Sequence, residues 1–302
     1  MKRLEPIAWP PLILSTAAGF TITGILFIFC WIETGDAQPL NLWFQEFGAF
    51  LLVAFPLSGA FTAARVVSLF GPEEPMRQSW LLLATAAAIQ AASHFVRHIL
   101  GRDILLNPLR PFPDLHSWMP ALDEFGRLLG GVLFPAVLIT GLVLALRTYL
   151  RLGLLPKLST FDFLVLAVLA ILLACHLLNA FRWLGDPRVR PTPLLFLNLT
   201  IDPLYAALFV VAIFLRRAKL SLRHGLIERC WTAYSWAIFL TCAGSLAITL
   251  NAQGALPDRW MWPTWVLWHP AAALFALGPA YQLETMEMAM ASASIARLRL
   301  RF

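Results

Sequence analysis

Eight apolar runs, each long enough to cross a bilayer as a helix, dominate the chain at about 9–33, 43–70, 78–100, 122–150, 160–185, 194–217, 228–252 and 262–290. At 1.5 Å per residue, about 20 residues cover the roughly 30 Å hydrocarbon core, and every run meets that length. Within hydrocarbon each backbone N–H and C=O must find its partner inside the segment or its neighbours, so uninterrupted runs of this kind become helices. The expected fold is all-α: a polytopic transmembrane bundle forming a single integral domain over 1–302.

The breaks between runs carry turn chemistry. Gly71-Pro72-Glu73-Glu74-Pro75, Asp186-Pro187 with Pro191-Thr192-Pro193, and Gly254 to Pro257 punctuate the pattern. The longest break, 101–121, is rich in proline and arginine, and reads as a surface-lying segment or lid. Only 13% of the 302 residues are charged while 59% are apolar, against about 25% charged in soluble domains. Lipid is therefore the expected solvent for most of the surface. The net charge of +6 is read by position, as orientation and contact with anionic lipid; nucleic acid is not needed to explain it.

With the N-terminus in the cytoplasm, 15 of the 23 Lys and Arg residues fall on the cytoplasmic side and 8 on the other. The densest cluster, Arg216, Arg217, Lys219, Arg223 and Arg229, lies between the sixth and seventh runs. This asymmetry predicts an N-in, C-in arrangement, with Trp43, Trp118, Trp183, Trp260, Trp262, Trp265 and Trp268 in the opposite interfacial belt. Met1-Lys2-Arg3 before the first run looks superficially like a signal peptide, but the run is too long for one and is read as an uncleaved span. Compact loops and no organelle transit signal suit a bacterial inner membrane. Cys30, Cys175, Cys230 and Cys242 sit singly in apolar runs, which argues against disulfides and against covalently attached haem.

Short similarities recur between runs. Glu46-Phe47-Gly48 and Glu124-Phe125-Gly126 open the second and fourth, with Phe55-Pro56 and Phe134-Pro135 about three turns on. Asp202-Pro203 and His269-Pro270 mark the sixth and eighth, and His94 with Arg97 and His176 with Arg182 mark the third and fifth. Repeated hairpins, arranged as two four-span halves, are one reading; chance matches in low-complexity apolar sequence are the other.

Glu46, His94, Arg97, His98, Glu124, Arg127, His176, Arg182, Asp202 and His269 all fall toward the outer ends of their runs, while the ionisable residues of the cytoplasmic halves, such as Arg147, Arg217 and Arg229, lie close to the run ends and include no histidine. Ionisable groups at such depth usually face a bundle interior or a water-filled cavity, which predicts one polar site in the outer half. Glu46 and Glu124 have a simpler role open to them as helix N-terminal carboxylates. Arg127 and Arg182 can reach the headgroups. His94, His176 and His269 lie deeper among apolar neighbours, where an imidazole needs a hydrogen-bond partner, a metal or a prosthetic group. Pro203 lacks an N–H and frees the carbonyl of Leu199 beside Asp202.

Four kinds of chemistry are compatible with this set. In a redox subunit, His94, His176 and His269 with Arg97 and Arg182 would hold one b-type haem or a quinone, and Glu46, Glu124 and Asp202 would carry protons or ligand contacts. A transition-metal site would use His94 and His98, one turn apart. A sensor would use an outward-facing ligand or metal pocket and signal through a partner, because no output domain accompanies the runs. A transporter would need polar residues in both halves, and a retinal protein would need a lysine within a span, which is lacking. The favoured expectation is a subunit of a larger membrane assembly handling electrons or quinone, with the sensor as the alternative.

Overall fold

A computed structural model describes residues 9–34, 38–100, 121–122, 124–154, 158–185, 193–221, 226–252, 256 and 261–299. Among them the chain is all-α, with eight helices: α1 (Trp9–Thr34), α2 (Gln38–Leu69), α3 (Pro75–Leu100), α4 (Glu124–Arg151), α5 (Thr160–Gly185), α6 (Pro193–Ser221), α7 (Leu226–Ala252) and α8 (Met261–Arg299). Four of them contain stretches long and apolar enough to cross a membrane, Phe47–Leu69, Pro75–Leu100, Glu124–Arg151 and Leu199–Ala218. The protein is thus a multi-pass membrane protein whose surface is made for lipid. α8 runs well past residue 290, through a stretch with three alanines and two arginines, both strong helix formers. Of the 101–121 segment, residues 101–120 lie outside the described residues.

Six helices close into a ring. α2 packs on α3, α3 on α4, α4 on α6, α6 on α7, α7 on α8, and α8 back on α2. α1 lies outside it against α8, and α5 lies outside it against α6. The exposed apolar side chains of α5, including Phe161, Phe163, Leu164, Val168, Ile171, Leu172 and Leu178, agree with that peripheral position. Its N-terminus is tied down: Ser159 caps the helix through Asp162, whose Oδ2 accepts from the Ser159 amide at 2.7 Å and hydroxyl at 2.8 Å. Arg217 of α6 pairs with the same carboxylate.

The two ends of the ring are filled differently. Toward the end where α2 hands over to α3, aromatic rings plug the interior. Trp80 lies 6.1 Å from Trp231 and 6.3 Å from Tyr234, centroid to centroid. The Trp231 indole N–H donates to the Tyr149 hydroxyl at 2.7 Å, so this buried pair satisfies itself. Arg65 and Glu287, 3.0 Å apart, link α2 to α8 beyond the plug at the surface. Nearer the α3–α4 end, Phe134 meets Phe275 edge to face at 5.6 Å. Above these rings the interior opens.

Candidate functional site

The opening is a cavity of about 280 Å3 lined from five of the six ring helices. α3 supplies Gln90, Ser93, His94 and Arg97, and α6 supplies Ile201, Asp202 and Tyr205. Arg127, Gly130, Gly131 and Phe134 come from α4, Thr241 and Ser245 from α7, and Trp268 from α8. Phe134 forms its floor against the aromatic plug. These residues stand about 5–18 Å along their helices from the α3–α4 end, at 1.5 Å per residue.

Four of the contributing helices are interrupted beside the cavity, two in geometry and two in backbone hydrogen bonding. α3 passes into a π-helical turn at Phe95–Leu100 and α4 through another at Leu128–Leu133. α6 carries Pro203 and α8 carries Pro270, each without an N–H to give. Such interruptions within a membrane bundle are tolerated where neighbouring side chains take up the displaced carbonyls. They do so here: Ser93 Oγ donates to the Gly126 carbonyl at 2.8 Å, and Tyr205 Oη donates to the Gly130 carbonyl at 3.2 Å. The Ser245 side chain is a second hydrogen-bond partner of the Tyr205 hydroxyl. At Gly126 any Cβ would collide with Arg97 Cγ, so glycine lets α3 and α4 approach closely enough to bring Arg97 to the wall.

Gln90 Oε1 and His94 Nδ1 are buried without a hydrogen-bond partner among the described residues. Their side chains are one helical turn apart on α3, and both line the cavity. Buried polar atoms are almost always satisfied, so two on one wall call for a ligand or water within the cavity. Arg97, Arg127 and Asp202 bring charge to the same chamber. His98 stacks on His94, with ring centroids 5.4 Å apart and planes inclined by 22°.

His94, Arg97 and Asp202 thus meet in one chamber, joined by Arg127. His269 takes another direction: its ring lies 4.5 Å from that of Phe20 on α1, and a Cβ on Gly48 of α2 would come within 2.7 Å of its Nε2. Its neighbour Trp268 faces the chamber instead, as a 100° step along a helix requires. Glu124 is exposed at the start of α4. The side chains of Glu46, His176 and Arg182 lie outside the described residues, although α2 and α5 carry their backbone. No group of three or more His, Cys, Asp or Glu side chains is placed to hold a metal ion among the described residues.

Comparison with family models, with curated proteins and with solved structures gives no match for this chain. The chamber must therefore be read from its own chemistry. Gln90, Ser93, Tyr205, Thr241, Ser245 and Trp268 had not been singled out as site residues by the sequence. Their signal was weak because Ser and Thr within apolar helices commonly bond a carbonyl of their own helix, as Thr241 does with Ala237 at 2.7 Å.

Proposed function

We propose that the chain crosses the membrane eight times with both ends in the cytoplasm, and that its chamber, in the outer half, binds the head group of a quinone. In this reading it is the quinone-handling subunit of a larger assembly in a bacterial inner membrane. All eight helices have at least 26 residues, counting α3 and α4 through their π turns, or about 39 Å. The order of neighbours also suits two four-span halves. The contacts α2–α3, α3–α4 and α4–α6 have counterparts in α6–α7, α7–α8 and α8–α2.

The observation that carries the reading is the pair Gln90 Oε1 and His94 Nδ1 on the chamber wall. A quinone presents carbonyl acceptors and a quinol presents hydroxyl donors, so a site that holds both needs partners able to reverse their role. A side-chain amide does this by rotating, and a neutral imidazole by changing tautomer. Arg97 and Arg127 favour the build-up of negative charge on a reduced ring, while Asp202 and His94 are the groups able to pass protons. Reduction would take two electrons from a redox centre of a partner subunit and two protons through the chamber. A bis-histidine haem is less well supported: His94 and His98 share one helix, and His269 is turned toward α1 and α2.

The test is direct. Protein purified in mild detergent should carry quinone extractable by solvent, and added quinone should quench tryptophan fluorescence, since Trp268 lines the chamber. Changing His94→Ala should reduce both by tenfold or more. No quinone and no quenching would overturn the reading, and a Soret band would replace it with haem.

One observation favours the sensor as a second reading. α8 is continuous for 39 residues and joins Trp268 at the chamber to Arg299 at its far end. A helix of that length, with Pro270 and Pro279 as places to bend, would carry a ligand-induced shift to a partner at the cytoplasmic face. Loss of a downstream response on changing Trp268→Ala, with quinone binding absent, would select this alternative.

A further inference from the structure

A second cavity adjoins the chamber and differs from it in character. It has a volume of about 480 Å3 and runs between the peripheral helix α5 and the ring helices α6 and α7. Leu164, Val165, Val168, Leu169, Leu172 and Leu173 form a stripe at alternating intervals of one and three residues along α5. Facing them, Ala206 and Phe209 continue the α6 stripe that begins at Asp202 and Tyr205, and Phe239, Cys242, Ala243 and Leu246 line the α7 side. Asp202, Tyr205 and Ser245 belong to both cavities. The same three residues therefore stand where a polar chamber meets an apolar groove.

We propose that this groove holds the isoprenoid tail of the quinone whose head occupies the chamber, and that the ligand enters sideways from the bilayer between α5 and the ring. The proposal rests on the quinone reading above and adds where the tail lies and how the ligand arrives. The junction requires an occupant with one polar and one long apolar end, because a wholly polar ligand would leave the groove empty and a wholly apolar one would not answer Gln90 and His94. The direction also fits. From the junction the groove descends along α6 toward Phe209 and along α5 toward Leu164, toward the bilayer midplane and the end of α5 held by Arg217 and Asp162. An outer-leaflet amphiphile has its tail in that sense.

Size agrees as well. A dry cavity of about 150 Å3 takes up benzene, so 480 Å3 corresponds to about 18 carbons, or three to four isoprene units. The groove is open to lipid, since Val168 and Leu172 are 50% and 52% exposed. Lipid is as apolar as the groove, so the tail gains little by moving into it. The groove instead selects by shape and aims the head into the chamber. Among the described residues α5 covers this side, and a polar tie fixes it at its first turn.

The experiment compares two probes, a benzoquinone without a tail and one with an isoprenoid tail of about eight units. Each is titrated into purified wild-type protein and into the variants Ala206→Trp and Leu169→Trp, followed by tryptophan quenching corrected for the added indole. Both substitutions fill the groove at half-buried positions away from the ring interior. The expected result is that the tailed quinone loses tenfold or more in affinity while the tail-less one binds as to wild type. Equal binding of the tailed quinone by wild type and both variants would overturn the tail assignment and leave the head-group reading intact. No binding of either probe by wild type would overturn both. A tailed quinone carrying a diazirine at its third isoprene unit, cross-linked to wild-type protein, gives a check independent of variant folding. Labelling should fall within 164–173, Phe209 or Phe239, and labelling confined to other helices would overturn the proposal.

Discussion

The hydroxyl of Tyr205 on α6 donates to the carbonyl of Gly130 on α4 at 3.2 Å. That contact closes the ring at the chamber, because it holds the π-helical turn of α4 against the helix bearing Asp202. A buried carbonyl deprived of its donor costs about 1–3 kcal/mol. Tyr205→Phe should lower unfolding stability in detergent by that amount, measured by denaturant titration. No change would mean that Gly130 finds another donor.

Gln90 offers a test with opposite signs in the free and bound protein. Its Oε1 is buried without a partner among the described residues, so Gln90→Leu removes an unsatisfied atom at nearly constant volume. The ligand-free protein should become more stable, by about 1 kcal/mol. The stabilisation conferred by added quinone should fall, and thermal unfolding with and without quinone reads both effects.

The aromatic plug should behave as scaffold. Tyr149→Phe leaves the Trp231 indole N–H without its 2.7 Å acceptor and should cost about 1–3 kcal/mol. Quinone affinity should stay within twofold of wild type. A larger loss of affinity would show that the plug is part of the site.

Close packing of α2 on α8 depends on Gly48. A methyl group there would come within 2.7 Å of His269 Nε2 in a site already shared with Phe20. Gly48→Ala should destabilise by about 1–3 kcal/mol through overpacking. Gly48→Ala with His269→Ala should recover part of that loss, and additive losses in the double variant would argue against the contact.

The anchor of α5 can be released without touching the chamber. Asp162→Asn weakens the tie to Arg217 and the cap on Ser159. Hydrogen exchange across 160–175 should then quicken at least fivefold, with exchange in α3 and α4 unchanged. Uniform quickening would indicate global rather than local loosening.

Much of the chamber was legible in the sequence because charge in an apolar helix is conspicuous. His94, Arg97, Arg127 and Asp202 stand out by cost alone, and Asp202-Pro203 flagged a helix lacking one of its own bonds. Gln90 and Ser245 did not, since a lone neutral polar residue in an apolar helix gains meaning only from what lies opposite. The π turns of α3 and α4 were hidden for a related reason. At the turn of α4, Ser93 of α3 and Tyr205 of α6 donate to the carbonyls of Gly126 and Gly130, and no local signal specifies that.

The sequence by itself determined that this chain is helical, where its long apolar helices run and in which half of them the histidines collect, because hydrocarbon leaves backbone polar groups few alternatives. It did not determine which way each helix turns. Lipid and bundle interior are both apolar, so the pattern that would mark an inward face in a soluble helix is nearly erased. Only the packing of the six-helix ring, through close approaches such as those at Gly48 and Gly126, turned His94 and Trp268 into the chamber and His269 toward α1 and α2.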